Sequence, residues 1–252
     1  MISRDALNQA MDAELKASTF KDYTVNGLQI EGSETVSRVL SGVTACQALL
    51  DEAVAWQADA VLVHHGYFWK NEPVAVTGMK QRRFATLLKN GINLFAYHLP
   101  LDAHVSLGNN ACLGRRLGLE VERCLDDELG KGLLWFGRPE TSLTTESLGA
   151  RVESALGRSP TVVTGHEGEI ERIAWCTGGA QDMLPAAAEA GAQAFISGEI
   201  SERTTHMARE MGITYVAAGH HATERDGVRE LGEWLATRFD AEHRFVDIDN
   251  PA

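Results

Sequence analysis

The sequence predicts an α/β protein made of two similar domains that arose by internal duplication. Short apolar runs rich in β-branched residues alternate with segments of helical period along the chain. The alternation occurs twice, in the same order. Residues 212–219, reading Gly-Ile-Thr-Tyr-Val-Ala-Ala-Gly, also align without gaps on residues 91–98, Gly-Ile-Asn-Leu-Phe-Ala-Tyr-His.

Leu7, Met11 and Leu15 recur every four residues, so an amphipathic helix opens the chain. Residues 38–43 read as a strand. Cys46, Leu49, Leu50, Ala53 and Val54 mark one face of a helix ending near Gln57. Residues 60–63 form a second strand that delivers His64 and His65, with Gly66 allowing the chain to turn. A helix over 80–89 closes on Asn90-Gly91, an αL cap, and strand 93–97 delivers His98 and then Asp102. In the second half, 173–177 matches the strand before Thr44. Met183, Leu184, Ala187 and Ala188 face one side of a helix stopped by Gly191, and 194–199 sits where 61–66 sat. The spacing from Thr44 to Asp59 is fifteen and from Thr177 to Gln193 sixteen. Strand 214–218 delivers His220 and His221, a helical segment runs over 223–239, and 244–248 alternates like a final strand. Mainly parallel sheets with right-handed crossovers follow. The seam, 126–171 with Gly130 and Gly132, carries a strand near 133–136 and a helix over 144–156. The expected domains are 1–125 and 126–252.

The 252 residues are 44% hydrophobic and 23% charged, ordinary for a globular protein. A balance of 23 Lys+Arg against 35 Asp+Glu gives a net charge of −12, which disfavours nucleic acid and acidic membranes as partners. Cys46, Cys112, Cys124 and Cys176 are scattered, as suits reduced thiols in a cytoplasmic protein. Residues 1–15 lack a signal-peptide apolar core, and no run is long enough to span a membrane.

The chemistry gathers at strand ends. His64, His65, His98, Asp102, His220 and Glu224 all lie at or just past the carboxyl ends of predicted strands, where open α/β sheets bind ligands. His220 and Glu224 are four apart and His221 and Glu224 three apart, so either imidazole can share a face with the carboxylate. Three or four imidazoles with two carboxylates exceed one closed zinc site and fit two divalent ions roughly 3.5–4 Å apart. Mixed N/O ligation suits Zn, Mn or Fe, and the lack of thiolates argues against a structural zinc knot. His104 and His166 fall in polar loops and are expected in solvent; His206 sits in a helical run from which it could approach the site, with a surface role favoured; His243 lies in the tail without a site role. Trp69 and Tyr67 are candidate pocket walls or packing residues, and Gly178-Gly179 is a candidate anion-binding turn. No P-loop, G-x-G-x-x-G or G-x-S-x-G motif is present.

Five motifs occur in a fixed order: Asn26-Gly27-Leu28-Gln29-Ile30-Glu31-Gly32, Val63-His64-His65-Gly66, His98-Leu99-Pro100-Leu101-Asp102, Ser197-Gly198-Glu199 and Gly219-His220-His221-Ala222-Thr223-Glu224. Together they resemble the NIF-three-like family, also called GTP cyclohydrolase I type 2, and in particular its short bacterial YbgI-type members. The resemblance covers about 22–252. It implies two three-layer α/β domains with a dinuclear metal site between them, C-terminal strands exchanged between the domains, and a toroidal homohexamer. The implied metal ligands are His64, His65, Asp102, His220 and Glu224, with Glu224 as the bridge and His98 beside the metals in proton transfer. Two departures stand out: no domain is inserted between the halves, and 21–25 lacks the tryptophan of many relatives.

The leading function is a dinuclear-metal-dependent hydrolase, with a nucleotide as candidate substrate. The family name suggests opening of the guanine imidazole ring of GTP, with Lys70 or Arg225 as candidate phosphate holders. The alternatives are a phosphoesterase or amidohydrolase, and a non-enzymatic metal-binding regulatory or chaperone ring.

Overall fold

The computed structural model describes residues 1–125 and 132–252. The chain divides into two compact units: Met1–Gly108 with Gly227–Asp249, and Asn109–Asp226 with Asn250–Ala252. The units therefore part at Gly108, earlier than the 125–126 boundary read from the sequence, and the chain rejoins the first unit at Gly227. The start of the predicted seam at Asp126, and Gly130 within it, lie outside the described residues.

In the first unit, a two-residue strand β1 (Ile2–Ser3) pairs with β3 (Thr35–Val36). A five-stranded sheet holds β2 (Gly27–Ile30), β4 (Arg38–Thr44), β5 (Ala60–His65), β6 (Asn93–Ala96) and β13 (Glu242–Phe245), in the order β13-β4-β5-β6-β2. Its four-strand run from β13 to β6 is parallel, and β2 is antiparallel to β6. The alternation of a strand sends successive side chains to opposite faces, and both faces are covered. Leu40, Val61, Val63 and Leu94 pack on Leu49, Leu50 and Ala53 of α2 (Gln47–Ala55) and on Phe84 and Leu87 of α3 (Gly78–Asn90). Val39, Leu62 and Phe95 pack on Leu7, Met11 and Leu15 of α1 (Arg4–Leu15), and on Val228, Leu231 and Leu235 of α10 (Arg225–Phe239). Each leucine so buried contributes roughly 2 kcal/mol. The tail strand belongs to this sheet because α10 and β13 complete its second core, a long-range choice that local periodicity does not encode.

Helix α1 starts where Ser3 Oγ accepts the Ala6 N–H at 3.2 Å. The predicted cap of α3 is present: Gly91 is left-handed, with φ 62° and ψ 29°.

The second unit holds one six-stranded sheet, β7 (Leu119–Leu125), β8 (Leu134–Pro139), β9 (Thr161–Val163), β10 (Ile173–Trp175), β11 (Ala194–Ser197) and β12 (Thr214–Ala217), in the order β7-β8-β10-β11-β12-β9. Only the β10-β11-β12 core is parallel; β7, β8 and β9 run antiparallel to their neighbours. The sheet is thus mixed where a mainly parallel one was expected. β7 is exposed over most of its length and β9 has three residues, so neither shows the apolar alternation that announces a strand. The predicted helix is α6 (Thr145–Leu156), begun by a capping box between Thr144 and Ser147.

The duplication extends to individual hydrogen bonds. In the first unit, Asp59 Oδ2 accepts the N–H groups of Ser37 and Arg38, and Arg38 Nη1 donates to the Trp56 carbonyl. In the second, Gln193 Oε1 accepts from Glu171 and Arg172, and Arg172 Nη1 donates to the Ala190 carbonyl. Strand registers agree, Val39 facing Ala60 as Ile173 faces Ala194. Arg38 therefore corresponds to Arg172 and Thr44 to Gly178, which removes the one-residue mismatch obtained when Thr44 is paired with Thr177. β6 and β12 also occupy the positions matched by the ungapped alignment of 91–98 with 212–219.

Candidate functional site

In the first unit the candidate residues come from the carboxyl ends of β5 and β6. Strand β5 continues through His65, so no turn brings the two imidazoles together, yet their ring centroids are 4.5 Å apart. Gly66 is required by close packing: a Cβ there would lie 2.3 Å from Gln29 Oε1 and 2.6 Å from Ala96 Cβ. His64 is fully buried, and its Nδ1 donates to the Tyr97 carbonyl at 2.9 Å. A carbonyl only accepts, so in the neutral ring Nε2 carries the lone pair, and it lies 3.5 Å from Asp102 Oδ1. His98 follows β6 and caps the short α4 (Leu99–Ala103), which carries Asp102. One ring nitrogen each of His64, His65 and His98 lies within 4.8 Å of the others.

His98 is held from behind. Its Nδ1 is 2.9 Å from Asp22 Oδ1, and its N–H donates to Asn26 Oδ1 at 2.7 Å. Asp22 Oδ2 accepts from Asn26 Nδ2 and the Leu99 N–H. Burial alone would raise the Asp22 carboxyl, but the bonds from His98, Asn26 and Leu99 outweigh it and hold the group at about 2. It is therefore an anion at neutral pH and fixes His98 with Nδ1 as donor and Nε2 directed away. Tyr23 and Trp69 flank this imidazole edge-on, at 5.1 and 5.0 Å.

The second unit repeats the arrangement. His220 opens the four-residue helix α9 (His220–Thr223), and Glu224 is its C-cap, so the pair precedes α10. His220 Nδ1 is 2.6 Å from Glu199 Oε1, and Nε2 is 3.2 Å from Glu224 Oε2. Glu224 is 2% exposed. Burial pushes the His220 imidazole down, but Glu224 and then Glu199 outweigh it and raise it to about 9. Of the two imidazoles that could share a face with Glu224, His220 makes this contact; the backbone N–H of His221 donates to the Ala252 carbonyl. Gly178, with φ +67°, lies under the pair: a Cβ would be 2.1 Å from Glu224 Oε1 and 3.1 Å from His220 Nε2.

In both units, then, an imidazole held as an Nδ1 donor aims Nε2 at a buried carboxylate oxygen. That is how a polar partner fixes the tautomer of a metal-binding histidine. Separations of 3.5 and 3.2 Å suit two donors of one ion with bonds of about 2.0–2.2 Å. The donor chemistry therefore fits divalent metal.

Several sequence readings change. The Gly178-Gly179 turn makes room for carboxylates, Gly178 for Glu224 and Gly179 beside Glu199. His104, expected in solvent, is half-buried: its Nδ1 accepts the Leu107 N–H, and Nε2 is 3.7 Å from Glu14. His166 is also half-buried and His206 is exposed. Tyr67 is a packing residue, its hydroxyl donating to the Ala45 carbonyl. Asp22 and Glu199, the partners of His98 and His220, had no role assigned. The signal was present, since Glu199 belongs to the Ser197-Gly198-Glu199 motif and Asp22 sits four residues before Asn26.

These features define a two-unit α/β protein with candidate metal-binding imidazole–carboxylate groups. The chain belongs to the Duf34/NIF3 (NGG1p interacting factor 3) family, whose profile matches residues 2–251. It is 53% identical over 250 residues to the GTP cyclohydrolase 1 type 2 homolog of Allochromatium vinosum, covering 99% of this chain and 97% of that one. It is 53% identical to the homolog of the same name from Yersinia pestis, covering 98% of each. A solved structure described as protein ybgI, of unknown function, superposes with a TM-score of 0.96 at 48% identity over all of both chains.

Proposed function

We propose that the chain is a divalent-metal-dependent hydrolase whose ligands are His64, His65 and Asp102 in the first unit and His220 and Glu224 in the second. The observation that supports this reading is the repeated pairing of an imidazole, engaged by an acceptor at Nδ1, with a buried carboxylate at Nε2, His64 with Asp102 and His220 with Glu224. Bound Zn, Mn or Fe, two ions per chain in this reading, supplies Lewis acidity and activated water near neutral pH. The chain's own contribution is positional. Asp22 holds His98 so that Nε2 can take or return a proton during hydrolysis. The names of the relatives favour GTP, with one water adding at C8 of guanine to open the imidazole ring to a formamide and a second water cleaving that formamide to release formate and leave the free amine. A ring of six copies and a cytoplasmic location belong to the same reading; no helix among the described residues is long and apolar enough to cross a membrane.

Elemental analysis of gently purified protein tests the ligand set. The parent is expected to hold about two ions per chain, and His64→Ala and Glu224→Ala each to lose most of the metal. Unchanged occupancy in both variants would mean that the ligands are misassigned. With metal content verified, incubation with GTP should release formate; none released removes GTP as the substrate.

A further inference from the structure

We propose that Arg158 is the oxyanion anchor of the site in the second unit, binding a phosphate or carboxylate group of the substrate beside His220. This rests on the reading of the His220–Glu224 pair as part of the reaction site. Arg158 follows Gly157, the left-handed cap of α6, and precedes β9. Because β9 is antiparallel to β12, with Thr161 facing Ala217, the chain before Thr161 runs beside the carboxyl end of β12. There Gly219 leads into His220.

The Arg158 side chain packs closely against Gly219. A Cβ at that residue, whose φ is +101°, would be 2.2 Å from Arg158 Nη1 and 2.8 Å from Cζ. On its other side, Gly219 donates its N–H to the Gly198 carbonyl at 2.9 Å, one residue before Glu199. A glycine is therefore needed where the cation meets the strand end. Arg158 Nη1 is buried and has no hydrogen-bond partner among the described residues. The nearby Glu153 carboxylate accepts from the Ser159 hydroxyl, while Glu199 and Glu224 are engaged by His220.

A buried guanidinium N–H without an acceptor is costly, and a guanidinium binds planar or tetrahedral oxyanions through paired N–H groups. In a chain of net charge −12, a cation without a carboxylate partner among the described residues, at the carboxyl end of a sheet and next to a candidate metal-binding imidazole, is placed to receive an anion. The substrate class that follows is a small molecule with an anionic end.

Calorimetric titration of the full metal-loaded chain with inorganic phosphate, and separately with acetate, tests the proposal; the tighter of the two identifies the anion. Saturable binding by the parent is expected, weakened at least tenfold in Arg158→Met with metal content unchanged. Arg158→Lys keeps the charge but loses the planar fork, and should bind several-fold more weakly than the parent. It provides the same readout if Arg158→Met does not fold. Parent-like affinity in the variants, or no saturable binding by the parent, overturns the anchor. If the parent binds no metal yet its phosphate affinity depends on Arg158, the metal reading fails and the anchor stands.

Discussion

Gly178→Ala is expected to lower metal affinity at least tenfold while leaving both units folded. The left-handed backbone at φ +67° costs an L-residue roughly 1–2 kcal/mol. The larger effect is steric, since the new methyl carbon would sit 2.1 Å from Glu224 Oε1. The backbone cannot retreat. The Gly178 N–H donates to Thr223 Oγ1 at 3.0 Å, and its carbonyl accepts from the Gly198 N–H at 2.8 Å and from Ser197 Oγ at 3.0 Å. Glu224 must therefore swing away, taking with it the oxygen that faces His220 Nε2. Gly179→Ala is the matched control, because a Cβ there comes no nearer than 3.4 Å to Glu199. Chelator competition on both variants checks the expectation; parent-like retention in Gly178→Ala would show that Glu224 does not bind metal.

The alanine result bears on how the site can be read from a sequence. His64, His65, Asp102, His220 and Glu224 are legible because imidazoles and carboxylates at strand ends are chemically conspicuous, and because the parallel cores 38–65 and 173–197 repeat. Gly178-Gly179 is a candidate anion turn in the sequence because a glycine pair after a strand looks the same whether it cradles a phosphate or makes room for a carboxylate. Arg158 carries no motif at all. Its meaning comes from the pairing of β9 with β12, and a three-residue strand is too short to be seen as a pattern. The same limit explains the domain boundary. The alternation of 244–248 announces a strand, but the sheet it joins is decided by Val228, Leu231 and Leu235, which pack among residues more than a hundred positions earlier. Glu199 was legible only as a motif member and Asp22 only as a motif's neighbour, since the role of a carboxylate behind an imidazole is set by tertiary contact.

His243, placed in the tail without a role by the sequence reading, should make the first unit acid-sensitive. His243 of β13 points its ring between the sheet and α10: Nε2 is 2.7 Å from Ser41 Oγ, and a Cβ on Gly232 would be 2.1 Å from that nitrogen. Desolvation by burial lowers its pKa to about 4 from the ordinary value near 6.5. Above pH 6.5 the imidazole is neutral in both folded and unfolded chains, and the packing contributes in full. Between 6.5 and about 4 only the unfolded chain takes up the proton, so stability falls as the pH falls through this window and levels off below it. Linkage sets an upper bound of roughly 3 kcal/mol, and water access to a half-buried ring reduces this to about 2 kcal/mol. Protection of the β4 and β13 amides from hydrogen exchange should therefore fall about 30-fold between pH 7.5 and 4.5, after correction for intrinsic exchange. In His243→Gln, which cannot titrate there, the loss should be markedly smaller. Parallel profiles for the two proteins would mean that acid enters the first unit elsewhere, and that the Ser41–His243 contact fixes β13 to β4 without sensing protons.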